Sequence, residues 1–178
     1  LNAACGLCAR NDNPSLPIEH LSFKTITEFF NKEICSSIDE MYICGNFGDP
    51  IVHPECLEIL RYFQDSGCQQ ISIHTNGSAR PTSWWEELAT ILRKSKGWAV
   101  FSIDGLEDTN SLYRKQTSWA RIMASAEAFI AAGGIARWNF IVFQHNEHQV
   151  EEAQELARQM GFKKFTIKSS QRMGPSNA

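Results

Sequence analysis

No apolar run in the 178-residue sequence approaches the roughly 20 residues that a membrane-spanning helix needs, so no membrane span is predicted. Basic residues are not in excess either, because 17 Lys and Arg stand against 20 Asp and Glu, giving a net charge of −3. That balance argues against a nucleic-acid partner. The opening residues also lack the basic start and apolar core of a secretory signal. We therefore expect a cytoplasmic protein with neither a membrane nor a nucleic-acid partner.

The sequence also lacks an internal repeat, a low-complexity segment and any break in composition that would mark a domain boundary. Residues 1–178 are therefore predicted to form one domain. Position 1 is not Met, a cysteine loop comes before any strand, and residues 174–178 resemble an interrupted loop. We expect this domain to be a fragment that is truncated at both ends.

Short apolar segments alternate with helical patterns from Met41 onward. The apolar segments are rich in Ile, Val, Phe and Trp, and they predict buried strands over residues 41–44, 70–74, 98–103, 136–143 and 164–168. Strand–helix repeats with short loops imply an α/β fold with parallel strands and right-handed crossovers. Both a doubly wound sheet and a (β/α) barrel fit this pattern.

Local signals mark where the helices begin and end. Pro54 suits the first position of the helix after the first strand, and Gly67 suits its end. Asn146 and Gln149 have capping-box spacing at the start of the last helix. The remaining patterns predict helices near residues 23–32, 83–94 and 119–130.

Polar and glycine residues gather where the predicted strands end, over residues 45–50, 75–77, 102–105, 144–146 and 168–170. Ligands of α/β folds bind at the carboxyl ends of the strands. Each cluster taken alone also suits turn geometry or helix capping. Because all five strand ends carry such groups, they favour a polar ligand with several functional groups lying across this edge of the sheet.

Six cysteines divide into two groups. Cys5 and Cys8 form a C-x-x-C pair in a loop of small residues, which in a cytosolic chain favours metal binding or redox chemistry over a structural disulfide. The other four fall among apolar residues or near helix ends, and we predict that they pack in the interior: Cys35, Cys44, Cys56 and Cys68.

The cysteine loop over residues 2–10, in its place before the later motifs, resembles the C-x-x-x-C-x-x-C loop of radical S-adenosylmethionine (SAM) enzymes. The resemblance is to the branch whose members often carry a C-terminal domain for auxiliary iron–sulfur clusters. It implies a partial (β/α)6 TIM-type barrel, here without its first strand, and a 4Fe–4S cluster held by Cys5 and Cys8. The family's first cysteine falls on Leu1, which cannot bind iron.

The segment of Phe47, Gly48, Asp49 and Pro50 resembles the family's glycine-glycine-glutamate-proline motif. The resemblance implies that the first three of these residues bind the ammonium group of SAM through the acid and the backbone carbonyls. Because Asp is shorter than Glu, we expect the carbonyls of Phe47 and Gly48 to make more of this contact.

Three later positions also resemble SAM-binding positions of the family, and Asp104 is a further candidate. Ser102 resembles the serine that contacts SAM, and Arg114 matches the arginine whose planar fork pairs with the SAM carboxylate. Asp104 is expected either to hydrogen-bond the ribose or to cap the next segment. The strand around Ile167 is expected to offer backbone groups and an apolar face to the adenine.

The resemblance implies reductive cleavage of SAM to a 5′-deoxyadenosyl radical that abstracts a substrate hydrogen, with peptides or proteins as frequent substrates and flavodoxin or ferredoxin as electron donor. A degenerate, non-catalytic binding domain is the alternative that Leu1 favours. A zinc or thiol-redox module built on the cysteine pair alone leaves the polar strand ends unexplained. Since no strand precedes the strand at 41–44, we expect an exposed sheet edge and self-association through it.

Overall fold

The computed structural model describes residues 2–8, 10, 13, 15–45 and 47–169. Leu1, Asn46 and Ser170 lie outside the described residues. The strands are β1 (Glu40–Ile43), β2 (Gln70–Thr75), β3 (Ala99–Ser102), β4 (Ala136–Val142) and β5 (Lys164–Ser169). The helices are α1 (Phe23–Phe29), α2 (Lys32–Ser36), α3 (Cys56–Asp65), α4 (Thr82–Lys94), α5 (Asn110–Tyr113), α6 (Trp119–Ala131) and α7 (Val150–Met160).

The five strands form one sheet in the order β1-β2-β3-β4-β5, and every neighbouring pair is parallel. Each crossover therefore moves one strand further in the same direction, as in a (β/α) barrel. In a doubly wound sheet the strand order reverses, so that later strands are added on the other side of the first strand. The order in this sheet has no such reversal. The predicted partial barrel is confirmed, and β1 forms one edge of the described sheet.

The two faces of the sheet differ sharply in composition. The outer face, which carries the helices, has apolar side chains such as Phe101, whose ring lies 5.2 Å from that of Trp85 on α4 and 6.0 Å from that of Phe129 on α6. All three side chains are fully buried. Side chains alternate between the two faces along each strand. The opposite, inner face is lined mostly by polar residues.

Two local predictions about helix starts were wrong. Pro54 lies in a turn before α3, which begins at Cys56, whereas Pro50 opens a separate 3-10 turn. Asn146 does not cap α7. Its side chain instead accepts from Phe143 N at 2.7 Å and donates to two carbonyls, because a buried amide finds more partners between two loops than at a helix end.

Three of the four cysteines predicted to pack in the interior are buried there, namely Cys35, Cys56 and Cys68. The prediction was wrong for Cys44, which is exposed because it follows β1 at the edge of the sheet. Among the described residues, no helix combines the length and apolar character needed to cross a bilayer.

Candidate functional site

A cavity of about 330 Å³ opens at the carboxyl ends of β1, β2 and β3. Its walls come from the cysteine loop, from the loops that follow these three strands, and from the end of α5. Six of the nine residues predicted to bind a cofactor or a metal line this cavity: Cys5, Cys8, Gly48, Asp49, Ser102 and Arg114. Its volume falls within the range of small-molecule sites.

Backbone and amide contacts hold the cysteine loop over the cavity. The side chains of Asn2 and Asn76 exchange two hydrogen bonds, of 2.9 and 3.1 Å, between the loop and the end of β2. Ala4 N donates to the carbonyl of Lys115 at 2.9 Å, which joins the loop to the segment after α5. These two attachments, on opposite sides of the cavity, place Cys5 and Cys8 at its wall.

The carboxylate of Asp49 organises the loop after β1. One oxygen accepts from Thr75 Oγ1 at 3.0 Å and from Asn76 N at 2.7 Å, and the other accepts from Ile51 N at 3.2 Å. Burial raises the pKa of this carboxyl, while the three hydrogen bonds oppose that rise. Asp49 thereby ties its loop to the end of β2, and its oxygens are occupied by protein donors.

The same loop requires glycine at one position. A Cβ at Gly45 would collide with the carbonyl oxygen of Gly48, so the chain turns back on itself there only because no side chain is present. The carbonyls of Phe47 and Gly48 accept no hydrogen bond from the part of the chain that the structure describes. Gly48 lines the cavity, so its carbonyl is the acceptor there that an outside donor could use, whereas Phe47 lies outside the cavity.

Arg114 and Asp104 form a buried ion pair beneath the cavity. Arg114 Nε donates to Asp104 Oδ2 at 2.6 Å, and the carboxylate is wholly inaccessible to solvent. Asp104 Oδ1 accepts from Ile141 N, also at 2.6 Å. Burial lowers the pKa of Arg114, but the neighbouring carboxylate more than offsets this, so the pKa lies above its usual value and the guanidinium stays charged.

Two buried amides brace the segment that carries this ion pair. Asn146 donates to the carbonyls of Asp104 and Ile141, at 3.0 and 2.9 Å. Gln149 Oε1 accepts from Leu106 N and from Thr109, and its Nε2 donates to Asp108 at 2.8 Å. The loop after β4 and the start of α7 thus hold the loop after β3 in one geometry.

Three of the predicted cofactor-binding residues lie away from the cavity wall. Phe47 is half exposed in a separate groove on the outside of its loop. Asp104 lies behind Arg114, with both oxygens occupied by protein donors. Ile167 pairs in register with buried Phe140, so its side chain belongs to the outer face of the sheet rather than to the inner one.

The sequence analysis gave no role to Tyr42 and His74, yet both line the cavity. The hydroxyl of Tyr42 is hydrogen-bonded to His74 Nε2, and their rings lie 4.5 Å apart. Burial, with help from Lys168, lowers the pKa of His74 to about 4, so its imidazole is neutral at pH 7. Neither residue stands in a recognisable motif. The alternation of side chains along each strand places both on the inner face of the sheet, and that alternation is the sequence signal that could have found them.

The donor set at the cavity does not fit a cluster that needs three thiolates from its loop. Cys5 and Cys8 provide two sulfurs, and Cys44 at the end of β1 lines the cavity as well, but no group of three His, Cys, Asp or Glu side chains suited to a metal ion exists within the described residues. Cys5 Sγ also lies 3.8 Å from Arg114 Nη1. Burial raises the pKa of the Cys5 thiol, although the guanidinium opposes this.

Solved structures share this architecture over nearly the whole chain. SuiB of Streptococcus suis bound to S-adenosylmethionine aligns with 94% of this chain at 17% identity and a TM-score of 0.72. Native anSMEcpe with bound AdoMet aligns with 94% at 18% identity and a TM-score of 0.74. TYW1 with a lysine-pyruvate adduct aligns with 99% at 15% identity and a TM-score of 0.64. The chain has the radical SAM fold.

The chain spans only part of each of these proteins: 36% of SuiB, 48% of anSMEcpe and 64% of TYW1. No protein-family profile matches the sequence. No curated protein matches it either. The likeness to the radical SAM structures therefore lies in the path of the chain, at an identity where the fold is shared while individual side chains differ.

Proposed function

We propose that this chain binds SAM in the cavity at the ends of β1, β2 and β3. The observation that carries the proposal is Arg114, a charged guanidinium that Asp104 holds in place at the cavity wall. Its Nε is used by Asp104 and its Nη1 lies 3.8 Å from Cys5 Sγ, so the remaining terminal nitrogen, Nη2, would meet a carboxylate oxygen. The carboxylate of the methionyl group would bind there.

The other end of the amino-acid portion of SAM matches the loop after β1. Its ammonium group is a triple donor, and the carbonyl of Gly48 at the cavity wall accepts no hydrogen bond from the described residues. Asp49 orders the loop that carries this carbonyl through its own hydrogen bonds rather than by contacting SAM. Ser102 adds a hydroxyl between the two ends. The cavity thus has an acceptor side and a cationic side, in keeping with a zwitterionic amino acid.

Ile167 and Asp104 are given less direct roles in this proposal. The backbone of β5 near Ile167 remains available to an adenine ring, while its side chain packs outward. Asp104 positions Arg114 and does not reach the ribose, because both of its oxygens are occupied.

A 4Fe–4S cluster supplies the electron for SAM cleavage in radical SAM enzymes, and two thiolates of this loop do not make its binding site. We therefore propose SAM binding without cleavage for the chain with Leu1. Catalysis is the second candidate, because Cys5 and Cys8 both face the proposed SAM site. It requires a third thiolate at position 1, an electron donor such as flavodoxin or ferredoxin, and a substrate.

Peptides are the substrate class proposed for that second candidate. Structures of SuiB with the precursor peptide SuiA and of anSMEcpe with AdoMet and the Cp18Cys peptide support this choice. The support comes from those proteins and from their likeness in fold to this chain.

Isothermal titration of the chain with SAM tests the proposal. We expect saturable binding at one site, weakened about ten- to a hundredfold by Arg114→Ala, because a charge-assisted contact worth about 1.5–3 kcal/mol is removed. Arg121→Ala, on the exposed side of α6, is the matched control and should leave the affinity unchanged. Ser102→Ala removes a single hydroxyl and should weaken binding about three- to tenfold, without the risk of unfolding.

Circular dichroism establishes that each variant is folded. Either of two results would overturn the proposal. The folded chain could show no saturable SAM binding, or folded Arg114→Ala could bind SAM with unchanged affinity.

A further inference from the structure

The inner face of the sheet is unusually polar for a barrel interior. Parallel register aligns His74 with Val100 and Arg137, and it aligns Ser102 with Asn139 and Thr166. Residues in register share a face of the sheet. The interior of a TIM-type barrel is ordinarily a packed layer of branched apolar side chains. This face is built to meet water or a polar ligand instead.

Positive charge predominates on this face. Arg137, Lys164 and Lys168 lie on it in adjacent strands, since Arg137 pairs with Lys164 and Ile141 pairs with Lys168. Glu40 on β1 is the acid that the described strands place on the same face; it pairs with Gln70 and accepts from Ser72 Oγ at 3.2 Å. None of the three basic side chains forms a salt bridge with another described residue.

The basic residues are arranged from the base of the inner face toward the cavity. Arg137 lies at the base, where its guanidinium carbon is 3.5 Å from the ring centroid of Trp98, and this contact orients it. Lys168 lies at the cavity end, close enough to lower the pKa of His74. Because His74 and Tyr42 line the cavity as well, the inner face and the proposed SAM site are continuous.

We infer that the cavity end of the inner face is a binding subsite for an anionic group, a carboxylate or a phosphate, of the molecule that lies beside SAM, with Lys168 as its charged ligand. Asn139 and Thr166 lie next to Lys168 along the inner face and supply hydrogen-bond partners of neutral charge. The inference rests on the proposed function for the identity of the neighbouring ligand. The anion subsite itself is defined by residues that the SAM site does not use.

Titration of the ¹⁵N-labelled chain with succinate and, separately, with inorganic phosphate tests the inference by NMR. We expect saturable shifts confined to inner-face residues such as His74, Asn139 and Thr166. Lys168→Gln, an exposed position that folding tolerates, should weaken the bound anion about tenfold, because a charge-assisted hydrogen bond is lost. Lys94→Gln, at the exposed end of α4, is the matched control and should change nothing.

The two anions distinguish the source of the charge, since tighter succinate binding assigns a carboxylate and tighter phosphate binding assigns a phosphate. Two outcomes would overturn the subsite. One is chemical shift changes that spread over surface lysines, and the other is an equal effect of Lys168→Gln and Lys94→Gln. SAM affinity is measured in parallel on the same samples. Normal SAM binding with no anion binding overturns the subsite alone, whereas anion binding without SAM binding overturns the proposed function alone.

Discussion

Arg114 and Asp104 lie 2.6 Å apart, nitrogen to oxygen, with the carboxylate fully buried and the guanidinium at the cavity wall. Ten residues separate them in sequence, yet a hydrogen bond from Ile141 N on β4 fixes the same carboxylate. The orientation of Arg114 is therefore decided by two strands and by the short helix α5. A ligand that pairs with Arg114 therefore binds a guanidinium group whose orientation is already fixed before the ligand arrives.

The buried pair predicts a large stability effect for Asp104→Asn. The amide keeps an acceptor for Ile141 N but leaves the charge of Arg114 buried without a counter-ion, so we expect the free energy of unfolding to fall by about 3–5 kcal/mol. Urea denaturation measures the change. Glu107→Gln, an exposed acid three residues further along the chain, should alter stability by less than about 0.5 kcal/mol. A loss below about 1 kcal/mol for Asp104→Asn would contradict the role given to the pair.

His74 predicts a specific pH dependence of stability. Its pKa is about 4 in the folded chain, against an ordinary value of 6.5, so the unfolded chain binds more protons between these pH values. Stability should therefore rise as pH increases from about 4 to 6.5, with little further contribution from His74 above that range. His74→Gln should flatten this part of the curve. An NMR titration that finds the imidazole protonated near pH 6.5 would disprove it.

Replacement of Leu1 tests whether the cysteine loop can hold a cluster. After anaerobic reconstitution with iron and sulfide, the chain with Leu1 should hold no stable 4Fe–4S cluster, because two thiolates leave it under-coordinated. Leu1→Cys should raise the iron content toward about four per chain and add absorption in the visible range. Leu1→Ser is the control, since its hydroxyl does not replace a thiolate. About four irons per chain with Leu1 in place would refute the prediction.

The exposed edge at β1 predicts self-association. β1 pairs with β2 on one side, and Tyr42 at its centre is 48% exposed. An unpaired strand edge is a template for another chain, so sedimentation velocity should reveal concentration-dependent oligomers. Tyr42→Lys should shift the population toward monomer, because a charge on an edge strand opposes pairing. Phe29→Lys removes a more exposed aromatic side chain from α1, and an equal shift in that variant would assign the association to nonspecific hydrophobic contacts.

Much of the fold follows from local sequence pattern. Each of the five predicted strands is present within one or two residues, because short runs of β-branched and aromatic residues bounded by turn signals have few alternatives in an α/β chain. Local sequence pattern did not decide between a barrel and a doubly wound sheet, since both have the same alternation of strands and helices along the chain. The order of the strands is a long-range property, and only the structure decided it.

The candidate site, like the fold, could be predicted only in part from the sequence. Sequence by itself determined which residue types stand at the strand ends, and Gly48, Asp49, Ser102 and Arg114 could be chosen from motif and order alone. It did not determine their partners. Asp49 is occupied by Thr75 and Asn76, from the next strand, because a buried carboxylate must be hydrogen-bonded wherever donors are near.

The contact between Tyr42 and His74 was decided by tertiary structure alone. The two residues are 32 positions apart and neither belongs to a motif, so no local signal joins them. Parallel pairing of β1 with β2 brings their side chains to the same face, and burial there makes the imidazole neutral. Chain order thus set the chemical groups available at the cavity. Strand register set which of them touch, because side-chain direction in a sheet depends on the pairing of distant residues.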